Sequence, residues 1–161
     1  MKRVFTVRYI VYGALIAALY AGLTLAFAPL SYGLAQVRVS EALTVLPFFI
    51  PASIPGLFIG CLIANLVTGN IYDIIFGSLA TLIAAFISSR IKNKYLVPLP
   101  PVICNAVIVG AVLTYAYTNV TNGLPYILVA LQVGAGELVA CYVIGLPLLL
   151  VLERHKNKIK V

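Results

Sequence analysis

Ten of the eleven basic residues fall in three short clusters, and that spacing limits the possible folds more than any other feature of the sequence. Lys2, Arg3 and Arg8 form the first, Arg90, Lys92 and Lys94 the second, and Arg154, Lys156, Lys158 and Lys160 the third; Arg38 stands apart. The stretches between clusters are apolar, and clusters of Lys and Arg flanking apolar spans collect on the cytoplasmic side of a membrane. With 63% hydrophobic and 9% charged residues, the chain is far from a soluble domain, where roughly a quarter of residues are charged. The net charge of +7 is therefore a topology signal and not a nucleic-acid-binding stripe, and no nucleic-acid partner is expected.

If all three clusters face the cytoplasm, the chain crosses an even number of times between each pair. Tyr9 to Pro29 is long enough for one span of a hydrocarbon core about 30 Å thick, and Tyr72 to Arg90 is a second. The stretch between them must then cross an even number of times. It reads as a short helix, Ser40 to Ile50, and another, Ile54 to Val67, hinged at Pro51 and Pro55. Pro98 to Tyr117 and Tyr126 to Leu152 complete the reading: an all-α, six-transmembrane-helix bundle, one integral membrane domain over 1–161, with both termini cytoplasmic. The basic start followed by an apolar run imitates a secretory signal, but the run exceeds the ~7–15 residues of a signal core and is read as a span. Leu30 to Ser40 lacks a uniform apolar pattern and reads as a loop or re-entrant segment.

Depth sorts the polar residues. Arg38 and Glu41 stand at the outer end of the short second helix, Asp73 at the outer end of the fourth, and Gln132 and Glu137 in the outer half of the sixth, with Asn105 somewhat deeper in the fifth. Ionisable side chains inside a bilayer face protected cavities or substrate paths, so this set points to a polar pocket opening outward. Structural roles compete: Arg38 and Glu41 can pair across a helix start, Asp73 can cap a helix, and Asn105 can bond a neighbouring helix. Tyr32, Tyr72, Tyr115, Tyr117 and Tyr126 lie at similar depth, as an interfacial belt or as walls of the pocket. On the first helix, Ala14, Ala18 and Gly22 form one ridge of small residues and Gly13, Ala17 and Ala21 the next; either lets another helix approach closely. Cys61, Cys104 and Cys141 are scattered through apolar segments and read as packing residues, not as a disulfide or a metal site.

The sequence has no phosphate-binding loop and no HExxH, and its single histidine, His155, lies in the basic tail. Neither an enzyme nor an ATP-hydrolysing pump is expected from this chain alone. A stand-alone channel or ion-coupled carrier would need polar residues along the whole crossing, and the inner halves of the helices carry almost none.

The segments VRVSEALTVLPFF, PGLFIGCLIANL, DIIFGSLATLIAA, PLPPVICNAVIVG and GAGELVACYVIGLPLLL resemble the QueT family over nearly the whole chain. That family comprises substrate-binding membrane subunits (S components) of energy-coupling factor (ECF) transporters, assigned to queuosine precursors. The resemblance implies six helices with cytoplasmic ends in a bacterial plasma membrane, and a ligand bound from outside under the loop after the first helix. It implies a transmembrane coupling subunit and two ATPase subunits as partners, with ATP on those partners and no cofactor in this chain. It also implies that the first helix meets the coupling subunit, with Ala14, Ala18, Ala17, Ala21 and Gly22 as the expected contact residues. The expected ligand is an aminomethyl- or cyano-deazaguanine. Glu137, Glu41, Asn105, Asp73, Arg38 and Gln132 are the expected binding residues, with the division of labour among the acids left open. Another vitamin or purine-like base carried by the same kind of subunit is the alternative.

Overall fold

A computed structural model describes residues 6–32, 37–69 and 71–155. Every regular element among them is helical. We label the six main bodies α1 (Val7–Ala26), α2 (Val39–Phe48), α3 (Ser53–Thr68), α4 (Asp73–Ser88), α5 (Leu99–Ala116) and α6 (Tyr126–Arg154). Three helices, Val7–Ala26, Lys94–Ala116 and Tyr126–Arg154, are long and apolar enough to cross a membrane. The outer surface of the bundle exposes Ile10, Leu15, Leu19, Ile63, Leu66, Ile83, Phe86, Ile103, Val107, Leu131 and Val143, while Arg38, Glu41, Asp73, Asn105 and Glu137 are buried. A water-soluble protein shows the reverse arrangement, so this chain is built for an apolar solvent.

Local chemistry sets several boundaries differently from the sequence expectation. α1 stops at Ala26, short of Pro29: Phe27 leaves helical geometry at φ −107°, and a separate turn, Ala28–Ser31, begins behind it with Pro29 in its first positions. α2 is a 3₁₀ helix instead of an α-helix. Ten residues at the 3₁₀ rise of about 2.0 Å reach roughly 20 Å, about a third further than the same residues in an α-helix. Within it Thr44 Oγ1 donates to the carbonyl of Glu41 at 2.5 Å, and Pro47 has no N–H to contribute to any helical ladder. Because side chains three apart eclipse in this geometry, Glu41 and Thr44 stand above one another along one edge. α3 ends at Gly69, whose φ of 73° is the left-handed stop that glycine accepts without strain. α4 opens through the π-turn Asp73–Gly77, and α6 contains a second, Val139–Gly145. Such turns place one extra residue in the helix and often accompany functional sites.

Helix α1 packs along α3, and glycine makes the approach possible. A Cβ on Gly56 would lie 2.6 Å from the Gly13 carbonyl oxygen, and one on Gly60 would lie 2.7 Å from the Ala17 oxygen and 2.8 Å from Tyr20 Cβ. Both would be backbone collisions, so the two helices touch only because these side chains are absent. The contact corrects the expectation for Ala17 and Ala21. They are buried inside the chain, while Ala14, Ala18 and Gly22 remain exposed on the other side of α1. Behind the α1–α3 contact, Ile16, Tyr20, Leu46, Leu57 and Cys61 form one apolar cluster, and Ala80, Val109, Leu113, Val129 and Val133 form another between α4, α5 and α6.

Candidate functional site

Between these two clusters lies a set of buried polar side chains contributed by all six helical bodies. Glu41 is its centre. Its Oε1 accepts hydrogen bonds from the Tyr20 hydroxyl on α1 and from Thr81 Oγ1 on α4, the latter at 3.1 Å. Its main-chain oxygen is approached by Thr44 Oγ1 and, at 3.7 Å, by Cys141 Sγ on α6. A second link between α1 and α2 runs from Thr24 to Ser40, hydroxyl to hydroxyl at 2.6 Å.

Glu137 sits beside this centre, with Cys141 Sγ 3.9 Å from its Oε2. Asn105 on α5 lies next to both carboxylates, close enough to act on each. Neither its Nδ2 nor its Oδ1 completes a hydrogen bond to protein. The guanidinium of Arg38 is the local cation, with its charge felt by Glu41, Asp73 and Glu137. Arg38 Nε donates to the Ser31 carbonyl at 3.3 Å, and the guanidinium stands 5.5 Å from the centre of the Tyr32 ring. Gly77 leaves it room: a Cβ there would lie 3.9 Å from Arg38 Nη1 and from Asp73 Cβ, and 3.2 Å from Asn65 Nδ2. Asn65 Nδ2 in turn donates to the main-chain oxygen of Asp73 at 2.8 Å, which holds the π-turn of α4 against α3.

Four of these residues retain buried polar atoms that make no hydrogen bond to protein: Ser31 Oγ, Arg38 Nη2, Glu41 Oε2 and both amide atoms of Asn105. Native interiors contain few such atoms, because each forfeits the hydration it had in water. Several close together, offering a hydroxyl, a cationic donor, an anionic acceptor and an amide, suit a small polar molecule with both donors and acceptors.

Five of the six expected binding residues therefore come together: Arg38 at 1% exposure, Glu41 at 0%, Asp73 at 3%, Asn105 at 1% and Glu137 at 1%. Gln132 does not. It is exposed, because the buried stripe of α6 runs through Val129, Val133, Glu137 and Cys141, and a residue five positions from Glu137 points about 140° away. Tyr20, Thr81, Thr24 and Asn65 belong to the cluster without having been singled out from the sequence. Their signal lay in spacing: Tyr20 and Thr24 are four apart on the buried side of α1, as are Cys61 and Asn65 on α3. Of the outer tyrosines, Tyr72 meets Tyr117 edge to face, with Tyr117 near enough to feel the charge of Asp73, Tyr115 stacks on Tyr126, and Tyr32 faces Arg38. The three cysteines are free thiols, and no group of three or more His, Cys, Asp or Glu side chains among the described residues is placed to hold a metal.

Comparison with known proteins gives this site its context. No solved structure matches the chain. A curated protein of Lactococcus lactis subsp. cremoris strain MG1363, named queuosine precursor transporter QueT, is 38% identical over 88 residues, which cover 51% of this chain and 52% of the relative. The match thus spans about half the length of that relative. The family profile described as QueT transporter covers residues 10–154, from the first turns of α1 to the end of α6 and across every residue of the buried cluster, so the chain belongs to the QueT transporter family.

Proposed function

We propose that this protein is the substrate-binding membrane subunit of an ECF-type transporter, and that it captures a deazaguanine precursor of queuosine from outside the cell. In this reading all six helical bodies cross or enter the membrane, both ends lie in the cytoplasm, and the cluster around Glu41 opens to the exterior. The coupling subunit docks on the exposed side of α1, along Ala14, Ala18 and Gly22, and two ATPase subunits behind it supply the energy. This chain contributes recognition and no chemistry.

The observation that carries the proposal is the set of unbonded buried atoms around Glu41 and Glu137. A guanine-like ring presents adjacent N–H donors on one edge, which suit a carboxylate, and a carbonyl oxygen, which suits the Asn105 amide or the Arg38 guanidinium. We assign the N–H edge to Glu137 and Glu41. An aminomethyl substituent would bring a positive charge into a site holding three carboxylates and one guanidinium; a cyano substituent would not.

Calorimetric titration of the purified chain with aminomethyl-deazaguanine tests the assignment. Hydrogen bonds to a charged group contribute about 1.5–3 kcal/mol each, so Glu137→Gln weakens binding between about tenfold and about a thousandfold. An analogue lacking the exocyclic amine binds the parent protein weakly and loses little more on mutation. Equal mutational losses for both ligands would remove Glu137 from the reading edge.

A further inference from the structure

We infer that Tyr20 is the positioning residue for Glu41: its hydroxyl holds one carboxylate oxygen so that the other, Oε2, is presented to the ligand. The inference rests on the ligand reading above and extends it to a residue that does not itself meet the base.

The argument begins with how Glu41 is held. Its two carboxylate oxygens are treated unequally. Oε1 receives both protein donors, from Tyr20 and Thr81, and Oε2 receives none, although the side chain is fully buried. The main-chain oxygen of the same residue is held from α2 itself and from α6. A carboxylate gripped at one oxygen and at its backbone has little rotational freedom left to lose when a ligand arrives, and that preorganisation favours binding.

The two donors to Oε1 are not equivalent. Thr81 has one hydroxyl hydrogen and three acceptors within reach: Glu41 Oε1 at 3.1 Å, the Gly77 carbonyl at 3.2 Å and Cys61 Sγ at 3.4 Å. Its hold on Glu41 is therefore shared. The phenol of Tyr20 donates to Glu41 Oε1, and the Cys61 thiol beside it is a weak acceptor by comparison. Tyr20 reaches that oxygen because α1 lies against α3 at Gly60, where a Cβ would meet Tyr20 Cβ at 2.8 Å. The sequence thus builds the orientation of Glu41 from a glycine on one helix and a phenol on another. It also makes Tyr20 the link between the carboxylate and α1, whose far side carries the exposed small residues.

The test is a double-mutant cycle on the full chain in detergent, titrated with aminomethyl-deazaguanine. Tyr20→Phe keeps the ring and removes the hydroxyl, and it weakens binding about tenfold, as expected for one lost hydrogen bond to a charged group. In a Glu41→Gln background the same change has less than about a twofold effect, because the group it orients no longer carries the charge. Thr81→Val gives a smaller loss than Tyr20→Phe. Equal losses from Tyr20→Phe in both backgrounds would show that Tyr20 only supports the bundle and would overturn the inference, as would no loss in either. Infrared spectra of the ligand-free protein give a separate answer. Tyr20→Phe shifts a carboxylate stretch, and the shift is absent when Glu41→Gln is already present; no shift overturns the seating. If the base fails to bind the parent protein, the ligand reading falls, and the infrared result alone decides whether Tyr20 seats Glu41.

Discussion

Among the described residues, charges of opposite sign meet in two regions, and the two follow different rules. Around Glu41 the charges are buried, three acids share one arginine, and Glu41 Oε2 and Arg38 Nη2 make no hydrogen bond to protein. At the other region, Lys94 and Glu153 form a 2.8 Å pair, with side chains 33% and 38% exposed. The exposed pair joins the segment before α5 to the last turns of α6, and water screens it. In the buried region nothing screens the charges, so each group must be compensated by protein or by ligand. The difference teaches that the buried set is poorly explained as a stabilising device. A protein needing only stability would fill that space with apolar side chains, as it does a few ångströms away at Ile16, Leu46 and Leu57.

The largest expected effect comes from removing the shared cation. Arg38→Met keeps much of the side-chain volume and leaves Glu41, Asp73 and Glu137 without their positive neighbour. Breaking a buried pair from one side costs about 3–5 kcal/mol, so the thermal unfolding transition, followed by the helical circular-dichroism signal, falls sharply. Adding Glu137→Gln to Arg38→Met restores part of the loss, since one fewer buried charge is left uncompensated. A variant that melts with the parent would show that Arg38 is not the counter-ion of this cluster.

A smaller and more specific effect is expected at Asn105, where stability and binding separate. The amide lies against both buried carboxylates but completes no hydrogen bond to protein, so Asn105→Leu, which is close in size, costs the fold little and leaves the melting transition within a few degrees of the parent. Binding of aminomethyl-deazaguanine drops about tenfold, because one polar partner is lost. If melting collapses while affinity is kept, Asn105 is a packing residue and the contrast between the two regions weakens.

The sequence carried the depth of the buried residues better than their direction. Arg38, Glu41, Asp73, Asn105 and Glu137 stand out in the sequence because ionisable or amide groups within apolar helices are costly wherever they point. Gln132 shared their depth, and only the azimuth of the α6 stripe separates it from Glu137. The same limit applied to α1, where two ridges of small residues have identical spacing. What orients them is on another helix, the Gly56–Gly60 pair of α3, whose four-residue spacing is visible in the sequence but whose partner ridge is not. The 3₁₀ course of α2 was not readable from periodicity, since most residues from Ser40 to Pro47 are buried and no polar face breaks the pattern. Tyr20 was hidden for a different reason. A tyrosine in an apolar span resembles packing until the acid opposite its hydroxyl is known.

The smallest expected effect, at the exposed pair, sets the baseline for the comparison. Lys94 Nζ donates to Glu153 Oε2 and also stands 5.5 Å from the ring of Tyr95, whose main-chain oxygen accepts from the Tyr142 hydroxyl at 3.2 Å. The segment before α5 is therefore held to α6 at more than one point, and the ion pair is only one of them. Exposed pairs give back most of their Coulomb attraction to side-chain ordering and to dissolved salt. Lys94→Ala should leave the melting transition and the ligand affinity close to those of the parent, and the small difference that remains should shrink further when salt is raised from low to high concentration. The buried cluster should answer oppositely, with the Arg38→Met defect persisting at high salt because ions do not reach it. A salt-insensitive loss at Lys94 as large as that at Arg38 would erase the distinction, and both pairs would then have to be read as parts of one structural network.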